Sequence, residues 1–327
     1  MIVGNPPYIR KRNLSARELG QISTYKSSDS PDIFAVCYER SLSLLAKSQG
    51  RHSFIVALSL SFSASFAQVR ELISQILLSS WWSSYAVWPA SLFSGVRIRN
   101  TLVVGSTNPA PTRRWSTRHN VFSTEGRGHL FASLEYHPES SQAGQPLVRA
   151  GLGSALLQRL AELGHPEGKA LPAEVYFRGR GQYWFPALRK RPPVLDSAGG
   201  ILHDADMLVR QLELFDIEDP DVCFALLAGK IGYLSWSAKG DDFNVKESET
   251  RLPRRLQGLI AELAQGKKLA KIVWEAGAKW AFVSKNNDGY INIRWSSVRE
   301  TTDVFDRWAL EEAGLLSEWR PLNIWYR

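Results

Sequence analysis

The chain has 327 residues, of which 44% are hydrophobic and 22% charged, so it is long enough for two domains and is typical of a soluble globular protein rather than a disordered one. Its formal net charge of +8 favours a polyanionic partner, because neutralising phosphates releases their counterions. The two cysteines, Cys37 and Cys223, show no CxxC spacing, which argues against a disulfide framework and indicates a reducing cytoplasm. The histidines show no ligand spacing, and the longest apolar run, Phe54 to Phe66, is too short for a membrane span, so we expect neither a metal site nor a membrane partner.

The first elements are a strand end, a turn, a loop and a helix. Met1 to Val3 reads as the end of a short buried strand, and Asn5-Pro6-Pro7-Tyr8 stops it because proline cannot donate to a sheet ladder. The polar stretch from Lys11 to Ser30 predicts a loop. Apolar residues near helical spacing predict an amphipathic helix over Asp32 to Ala46.

Three further elements follow. His52 to Leu58 predicts a buried strand, Ala64 to Leu78 a helix and Arg97 to Gly105 another strand. Strands that alternate with helices are typical of a layered α/β sheet. We therefore predict an α/β first domain.

The pattern changes near Asn108 to Pro111, where it becomes less regular and richer in Arg and Trp. We place a domain boundary there, which gives a first domain over 1–110 and a second over 111–327. The second begins with a loop-rich, basic stretch from Thr112 to Pro193 and contains later helical patterns such as 252–269. This composition predicts a mixed α+β domain.

The segment Asn5-Pro6-Pro7-Tyr8 fits chemistry on the exocyclic amino group of adenine. The lone pair of that nitrogen is delocalised into the ring, and two carbonyl acceptors on its hydrogens would free the lone pair for reaction. Asn5 can supply a side-chain carbonyl, and Pro6 a backbone carbonyl that its fixed φ holds in place. The base must leave the duplex to reach them, and Tyr8 could hold it by stacking. The alternative is an ordinary turn after a strand.

The order of segments around this turn resembles the gamma-class amino-methylating DNA methyltransferases, including the large single-chain restriction–modification and phage-defence enzymes. The resemblance covers roughly Met1 to Gly105, with a weaker match in the second domain. Its segments, in chain order, are Asn5–Tyr8, Asp32–Phe34, Glu39–Leu45, Gly50–Val56, Val69–Leu72, Phe93 and Tyr233–Val245. The resemblance implies the C-terminal half of a Rossmann-like, doubly wound methyltransferase sheet, followed by a mixed α+β target-recognition domain.

The resemblance also implies an activity and its residues. The chain would belong to an adenine-specific DNA methyltransferase that moves a methyl group from S-adenosylmethionine to N6 of a flipped adenine. Asn5, Pro6, Pro7 and Tyr8 would form the catalytic segment, and Phe93 would be a second aromatic wall unless it is a core residue. Asp32 is expected to cap a helix rather than to contact the ligand. The chain departs from the family at Ala57–Ser61, where a Pro-Asn segment usually stands.

The family holds its cofactor on a Gly-rich loop upstream of the catalytic segment, for which this sequence has no room. The best downstream substitute, Ala150–Ala155, reads better as a plain helix start, because no convincing strand precedes it. We therefore expect a truncated, split or decayed form, inactive alone, with a further chain as a candidate source of the cofactor half.

Double-stranded DNA is the expected macromolecular partner. Arginines are candidate phosphate contacts in the second domain, although solvated surface charge is an equal alternative: Arg113, Arg114, Arg178, Arg180, Arg254 and Arg255. A second hypothesis is a non-catalytic DNA-recognition subunit of a restriction–modification or phage-defence system. No nuclease-like cluster of acidic residues and lysine is visible in the sequence.

Overall fold

The computed structural model divides the chain into two compact units, Met1–Gly151 and Leu152–Arg327, and each is described by itself. The residues that the structure describes are 1–93, 95, 98–108, 113–163, 170–178, 185, 187–189, 194–195, 201–202, 209–215, 219–240, 245, 254–279, 281–283 and 291–326.

The first unit has a mixed sheet with short helices between its strands. Its strands are β1 (Ile2–Gly4), β2 (Arg51–Ala57), β3 (Ser79–Tyr85), β4 (Asn100–Ser106), β5 (Arg113–Asn120) and β6 (His137–Pro138). Its α-helices are α1 (Ala16–Ile22), α2 (Phe34–Ser43), α3 (Ser59–Phe62) and α4 (Ala67–Ile76). Single 3₁₀ turns cover Lys11–Asn13, Lys26–Asp29, Ala64–Phe66 and Glu125–His129, and a further one, Gly151–Gly153, begins at the last residue of this unit.

The strand directions give the sheet two distinct edges. The order is β1-β2-β4-β3-β5-β6, with β1 parallel to β2, β3 parallel to β5, and β4 antiparallel to both β2 and β3. Strands β1, β2, β3 and β5 therefore all run the same way. Here an edge means the row of strand ends, and not an outer strand. We call the edge where these four strands end the Tyr8 edge, since Tyr8 follows β1 there. The edge where they begin is the Arg113 edge, since Arg113 opens β5.

One face of this sheet carries α2 and α4. The burial of β2 alternates along the strand, with Phe54 and Val56 inside, because successive strand side chains point to opposite faces. Phe34 and Tyr38 of α2 and Ile73 of α4 are fully buried against this face. Burying each such side chain stabilises the fold by roughly 1.5–3 kcal/mol, so this cluster is the core of the first unit.

The outer strand β1 is only partly covered. Val3 is 66% exposed and Met1 91% exposed. Among the strands described here, β2 is the one that pairs with β1, so no other described strand uses the backbone donors and acceptors on the far side of β1. An outer strand of this kind can pair with a further strand.

A buried arginine joins the residues after β2 to a distant segment. Arg70 is 1% exposed, and its Nε donates to the carbonyls of Gly144 (3.1 Å) and Gln145 (3.0 Å). Its Nη1 donates to the carbonyls of Leu60 (2.9 Å) and Ser63 (2.7 Å). A buried charge is tolerated where such bonds satisfy it, so the segment around 144 belongs to the first unit.

The α/β class predicted from the sequence is confirmed, and four predicted elements are present with small shifts of their ends, as β2, β4, α2 and α4. Strand β3 was not predicted. The predicted loop over Lys11 to Ser30 is wrong in part, since it contains α1. That helix begins at a capping box in which Ser15 and Glu18 bond each other's backbone N–H.

The boundary expected at about 110 also differs from the structure, which divides after Gly151. The reason is that β5 and β6 extend the first sheet beyond that point, with Trp81 of β3 paired to Trp115 of β5. Pro111 itself lies outside the described residues.

The second unit combines short strands with a group of helices. Its strands are β7 (Ala170–Arg178), β8 (Ala187–Leu188), β9 (Val194–Leu195), β10 (Ile201–Leu202), β11 (Val209–Phe215), β12 (Ala281–Val283) and β13 (Ile291–Ile293). Its α-helices are α5 (Ser154–Glu162), α6 (Pro220–Ala228), α7 (Lys230–Lys239), α8 (Arg254–Glu262), α9 (Ala264–Lys279), α10 (Arg299–Glu312) and α11 (Trp319–Tyr326). The single helical pattern expected over 252–269 is therefore two helices, α8 and α9.

Helix α7 begins at a buried ionic group. The carboxylate of Asp306, on α10, accepts the backbone N–H of Lys230 at 2.6 Å, and burial raises the pKa of Asp306 well above its usual range. The Lys230 ammonium contacts Asp303 at 2.8 Å and the side-chain oxygen of Asn323 at 2.7 Å. These bonds fix α7 against α10 and α11.

Candidate functional site

The segment Asn5-Pro6-Pro7-Tyr8 leaves the sheet at the end of β1. The last residue of that strand, Gly4, lies opposite Phe54 of β2, and a Cβ at Gly4 would come within 2.9 Å of the Phe54 ring. Glycine therefore lets the strand end approach its neighbour closely. Pro6 is buried, whereas the side chains of Asn5 and Pro7 are exposed.

The Asn5 amide is open to a ligand. It is not packed against the core, and among the residues described it has no hydrogen-bond partner for its side chain. Since Pro6 is buried behind it, the backbone at this point is fixed while the amide faces outward. A primary amide in this position can accept a hydrogen bond from an amine.

Tyr8 is held in place by two neighbouring strands. Its hydroxyl donates to the carbonyl of Ile55 in β2 (3.1 Å) and accepts from the side-chain amide of Asn100 in β4 (3.2 Å). Its ring lies edge-on to Phe34 of α2, with centroids 6.2 Å apart. Burial raises the pKa of Tyr8 to about 12, and the Asn100 bond lowers it slightly. The phenol therefore stays neutral, and its ring direction is set by the sheet.

Phe93 lies in the segment between β3 and β4. Its side chain is half-buried, and its carbonyl accepts from the Ser91 hydroxyl at 2.6 Å. In the described part of the chain no ring contact joins it to Tyr8. Its role as a second aromatic wall stays a prediction.

Asp32 does not cap helix α2, so that expectation is wrong. The residue at the cap position is Ile33, which makes no side-chain bond there. Asp32 is instead buried, and its carboxylate pairs with the guanidinium of Arg10 at 3.2 Å. Burial raises the pKa of Asp32, and the Arg10 charge opposes that shift. The carboxylate anchors the residues that follow Tyr8.

The predicted phosphate contacts Arg113 and Arg114 are not near Asn5. They open β5 at the Arg113 edge, whereas Asn5 lies at the Tyr8 edge. The strand order also places β1 and β5 four strand spacings apart, which is about 19 Å at roughly 4.8 Å per spacing, so the two places are well separated across the sheet. Arg113 and Arg114 instead line a cleft of about 530 Å³ with Trp115 and Glu139.

The other arginine candidates belong to the second unit. Arg178 ends β7, and Arg254 and Arg255 open α8. Arg180 lies outside the described residues. Their contact with DNA stays a prediction.

Sequence reasoning missed a basic cleft at the Tyr8 edge. Arg10, Lys11 and Arg12 line a cleft of about 630 Å³ together with Leu19 and Pro31. The signal was present in the sequence as three consecutive basic residues that start two positions after Tyr8. It was passed over because that stretch was interpreted only as a polar loop.

The glycine-rich segment at Gly151 does not fit an S-adenosylmethionine loop. It is a 3₁₀ turn that leads into α5, in agreement with a plain helix start. A Cβ at Gly153 would lie 2.6 Å from the side chain of Leu234, so glycine is needed there for packing against α7. The Gly151–Gly153 segment is therefore accounted for by helix entry and packing.

No group of three or more His, Cys, Asp or Glu side chains in the described ranges could hold a metal ion. Cys37 and Cys223 are both free thiols. None of the helices described above has the length and apolar character needed to cross a membrane.

Residues 1–87 match the family model of the Eco57I restriction-modification methylase. No curated protein sequence matches the chain. The matched stretch contains Asn5–Tyr8, β1 to β3 and α1 to α4, so the segment with the exposed amide and anchored phenol lies inside it.

Several solved structures are similar at low identity. MmeI, a Type IIL restriction-modification enzyme in complex with DNA, has a TM-score of 0.43 and 11% identity over 99% of this chain and 53% of its own. The DrdV–DNA complex has a TM-score of 0.36 and 14% identity over 44% of this chain and 18% of its own. A nuclease-deletion mutant of the Type ISP restriction-modification enzyme LlaGI, in complex with a DNA substrate mimic, has a TM-score of 0.36 and 12% identity over 55% and 20%. This chain thus spans between 18% and 53% of the length of these structures.

Proposed function

We propose that the first unit is the catalytic half of an adenine-specific DNA methyltransferase of a restriction system, which acts on N6 of a flipped adenine in the cytoplasm. The observation that carries the proposal is the arrangement at the Tyr8 edge. An exposed Asn5 amide precedes the buried Pro6, and Tyr8, three residues after Asn5, is anchored by β2 and β4. The match of residues 1–87 to a restriction-modification methylase supports it independently.

The residues of the segment would act on the amine of the base. The Asn5 side-chain oxygen and the Pro6 carbonyl accept hydrogen bonds from its two N–H groups. These bonds favour tetrahedral geometry at the nitrogen and free its lone pair. Pro7 keeps the segment extended, so these two acceptors stay in position. The Asn5 amide carries no charge, so it can polarise the amine without taking its proton.

The aromatic residues would hold the extruded base. The Tyr8 ring is fixed by its hydroxyl bonds to β2 and β4, so it can stack on the base without first losing conformational freedom. Phe93 is proposed as the opposite wall.

The methyl donor would be S-adenosylmethionine, bound by a part of the enzyme outside the residues described. The free side of β1, where Val3 is 66% exposed, is a place where further strands could continue the sheet. The second unit is proposed to recognise double-stranded DNA, with Arg178, Arg180, Arg254 and Arg255 as phosphate contacts.

The test is methyl transfer from radiolabelled S-adenosylmethionine to duplex DNA, with the cofactor half supplied as a separate chain. Asn5→Ala is expected to lower turnover at least roughly 100-fold, as loss of a positioned transition-state hydrogen bond does. Asn13→Ala is the matched control, since Asn13 is an exposed amide in the turn after the segment. Equal turnover by both variants would contradict the assignment of Asn5.

The second candidate is a non-catalytic DNA-recognition subunit. Asn5 distinguishes the two, because a scaffold has no use for an exposed amide on a fixed turn. DNA binding without methyl transfer under every complementation would favour the recognition subunit.

A further inference from the structure

The basic cleft lined by Arg10, Lys11, Arg12, Leu19 and Pro31 has no role in the chemistry described above. Its volume is about 630 Å³, enough for part of a nucleotide chain. Leu19 and Pro31 supply the apolar part of its lining, and the three basic residues supply its charge.

The backbone of the cleft is fixed to the body of the first unit. The N–H of Lys11 donates to the carbonyl of Pro31 (2.8 Å), and the N–H of Ile33 donates to the carbonyl of Ile9 (2.9 Å). The N–H of Leu14 then closes a turn on Lys11 at 3.1 Å. The basic side chains therefore project from an ordered support, which lowers the entropy that a ligand must overcome.

The charges of the cleft are only partly neutralised. Arg10 pairs with the buried Asp32, but a guanidinium has five donors and Arg10 remains 60% exposed. Lys11 lies 3.7 Å from Asp29, whose side chain is 98% exposed, and such a surface pair is weak. In the part of the chain that the structure describes, Arg12 has no ion pair.

The position of the cleft relates it to the extruded base. Arg12 follows Tyr8 by four residues, so the chain cannot carry it more than about 14 Å away. Arg113 and Arg114, in contrast, lie about 20 Å away across the sheet. A nucleotide held at Tyr8 places its flanking phosphates on the side of the cleft, and not on the side of Arg113.

We propose that the basic cleft binds backbone phosphates of duplex DNA next to the extruded adenine. Lys11 and Arg12 each contact one phosphate, and Arg10 is held by Asp32 to complete the rim. The proposal rests on the proposed function, since it takes the base at Tyr8 as its reference point. It assigns the cleft a positioning role, because contacts to phosphate fix register and do not read sequence.

The test is an anisotropy titration of a labelled random-sequence duplex with the full chain, repeated over a range of sodium chloride concentrations. Each phosphate contact adds about 0.9 to the slope of log affinity against log salt. Arg12→Ala should lower that slope by about 0.9 and weaken binding about eightfold near 0.1 M salt. Lys11→Ala combined with Arg12→Ala should lower the slope by about 1.8.

Arg40→Ala is the matched control, because it removes an exposed arginine from α2, which carries none of the candidate DNA contacts. It should leave both slope and affinity unchanged. An equal loss for Arg12→Ala and Arg40→Ala, an unchanged slope for Arg12→Ala, or no DNA binding by the unaltered chain at low salt would each overturn the proposal.

Asn5→Ala separates this proposal from the proposed function. If turnover depends on Asn5 while the salt slope is independent of Arg12, only the cleft assignment fails. If turnover does not depend on Asn5, the adenine chemistry fails, even where the slope still falls with Arg12→Ala.

Discussion

The two edges of the first sheet carry similar groups in different arrangements. At the Tyr8 edge an anchored phenol and an exposed amide lie beside a cleft with three consecutive basic residues. At the Arg113 edge two arginines line a cleft with Trp115, on the far side of the strands. A pair of arginines has the same appearance in the sequence at either edge. Its distance from the proposed site of the base depends on the order and direction of the strands.

The two edges also differ in the buried polar residue that stabilises each of them. At the Tyr8 edge this residue is Arg70, whose hydrogen bonds fix the turn after β2. The Arg113 edge has the buried His52, whose Nε2 lies 2.8 Å from the Ser41 hydroxyl. Each edge thus has its own buried polar group, and these groups allow the two edges to be perturbed one at a time.

The largest effect is expected from Arg70→Ala, which removes the support of the Tyr8 edge. The substitution removes the donor of one buried and three part-buried hydrogen bonds, so the free energy of unfolding should fall by about 3 kcal/mol. Urea unfolding followed by circular dichroism measures it. Arg40→Ala, an exposed arginine on α2, is the control and should change little. Equal midpoints for the two variants would show that Arg70 does not fix this edge.

An intermediate effect is expected at acid pH through the Arg113 edge. Burial lowers the pKa of His52 from 6.5 to about 4, so the folded protein keeps this ring neutral. The unfolded chain takes up a proton at His52 near pH 6.5 and the folded chain only near pH 4. The free energy of unfolding is therefore highest above pH 6.5 and falls as the pH drops from 6.5 towards 4. Urea midpoints measured across this window should fall less steeply for His52→Gln than for the natural chain. Parallel curves for the two proteins would exclude His52 as the cause.

The smallest effect is expected from Tyr8→Phe, which keeps the ring and removes the hydroxyl. Loss of the bonds to Ile55 and Asn100 should lower the free energy of unfolding by about 1 kcal/mol. Because burial raises the pKa of Tyr8 from 10.0 to about 12, the natural chain should also lose stability as the pH rises from 10.0 towards 12, and Tyr8→Phe should not. Turnover should change little, because stacking uses the ring, and a large loss of turnover would show that the hydroxyl itself acts on the base.

The sequence predicted the elements with regular apolar patterns. Strand β2 and helices α2 and α4 were found because their buried residues recur at strand or helix spacing. Strand β3 was missed because serines occupy four of its seven positions in Ser79–Tyr85, which hides the alternation. Helix α1 was missed although the Ser15–Glu18 capping box was visible.

The candidate site was predictable only in part. Asn5–Tyr8 could be identified because its chemistry is contained in four consecutive residues. The anchoring of Tyr8 could not, since Asn100 is 92 positions away and reaches it only because β4 lies between β2 and β3. The strand order also places β1 and β5 four strands apart, so the distance between Arg113 and Asn5 follows from topology and not from sequence spacing.

The bonds of Arg70 to Gly144 and Gln145 set a practical limit on how the molecule can be dissected. A recombinant fragment cut near residue 110 would strip β5 and β6 from the sheet and take away two of the acceptors of a buried guanidinium. Chimaeras that exchange the second unit for that of another protein should therefore join the parts after Gly151, where the contacts of the chain divide.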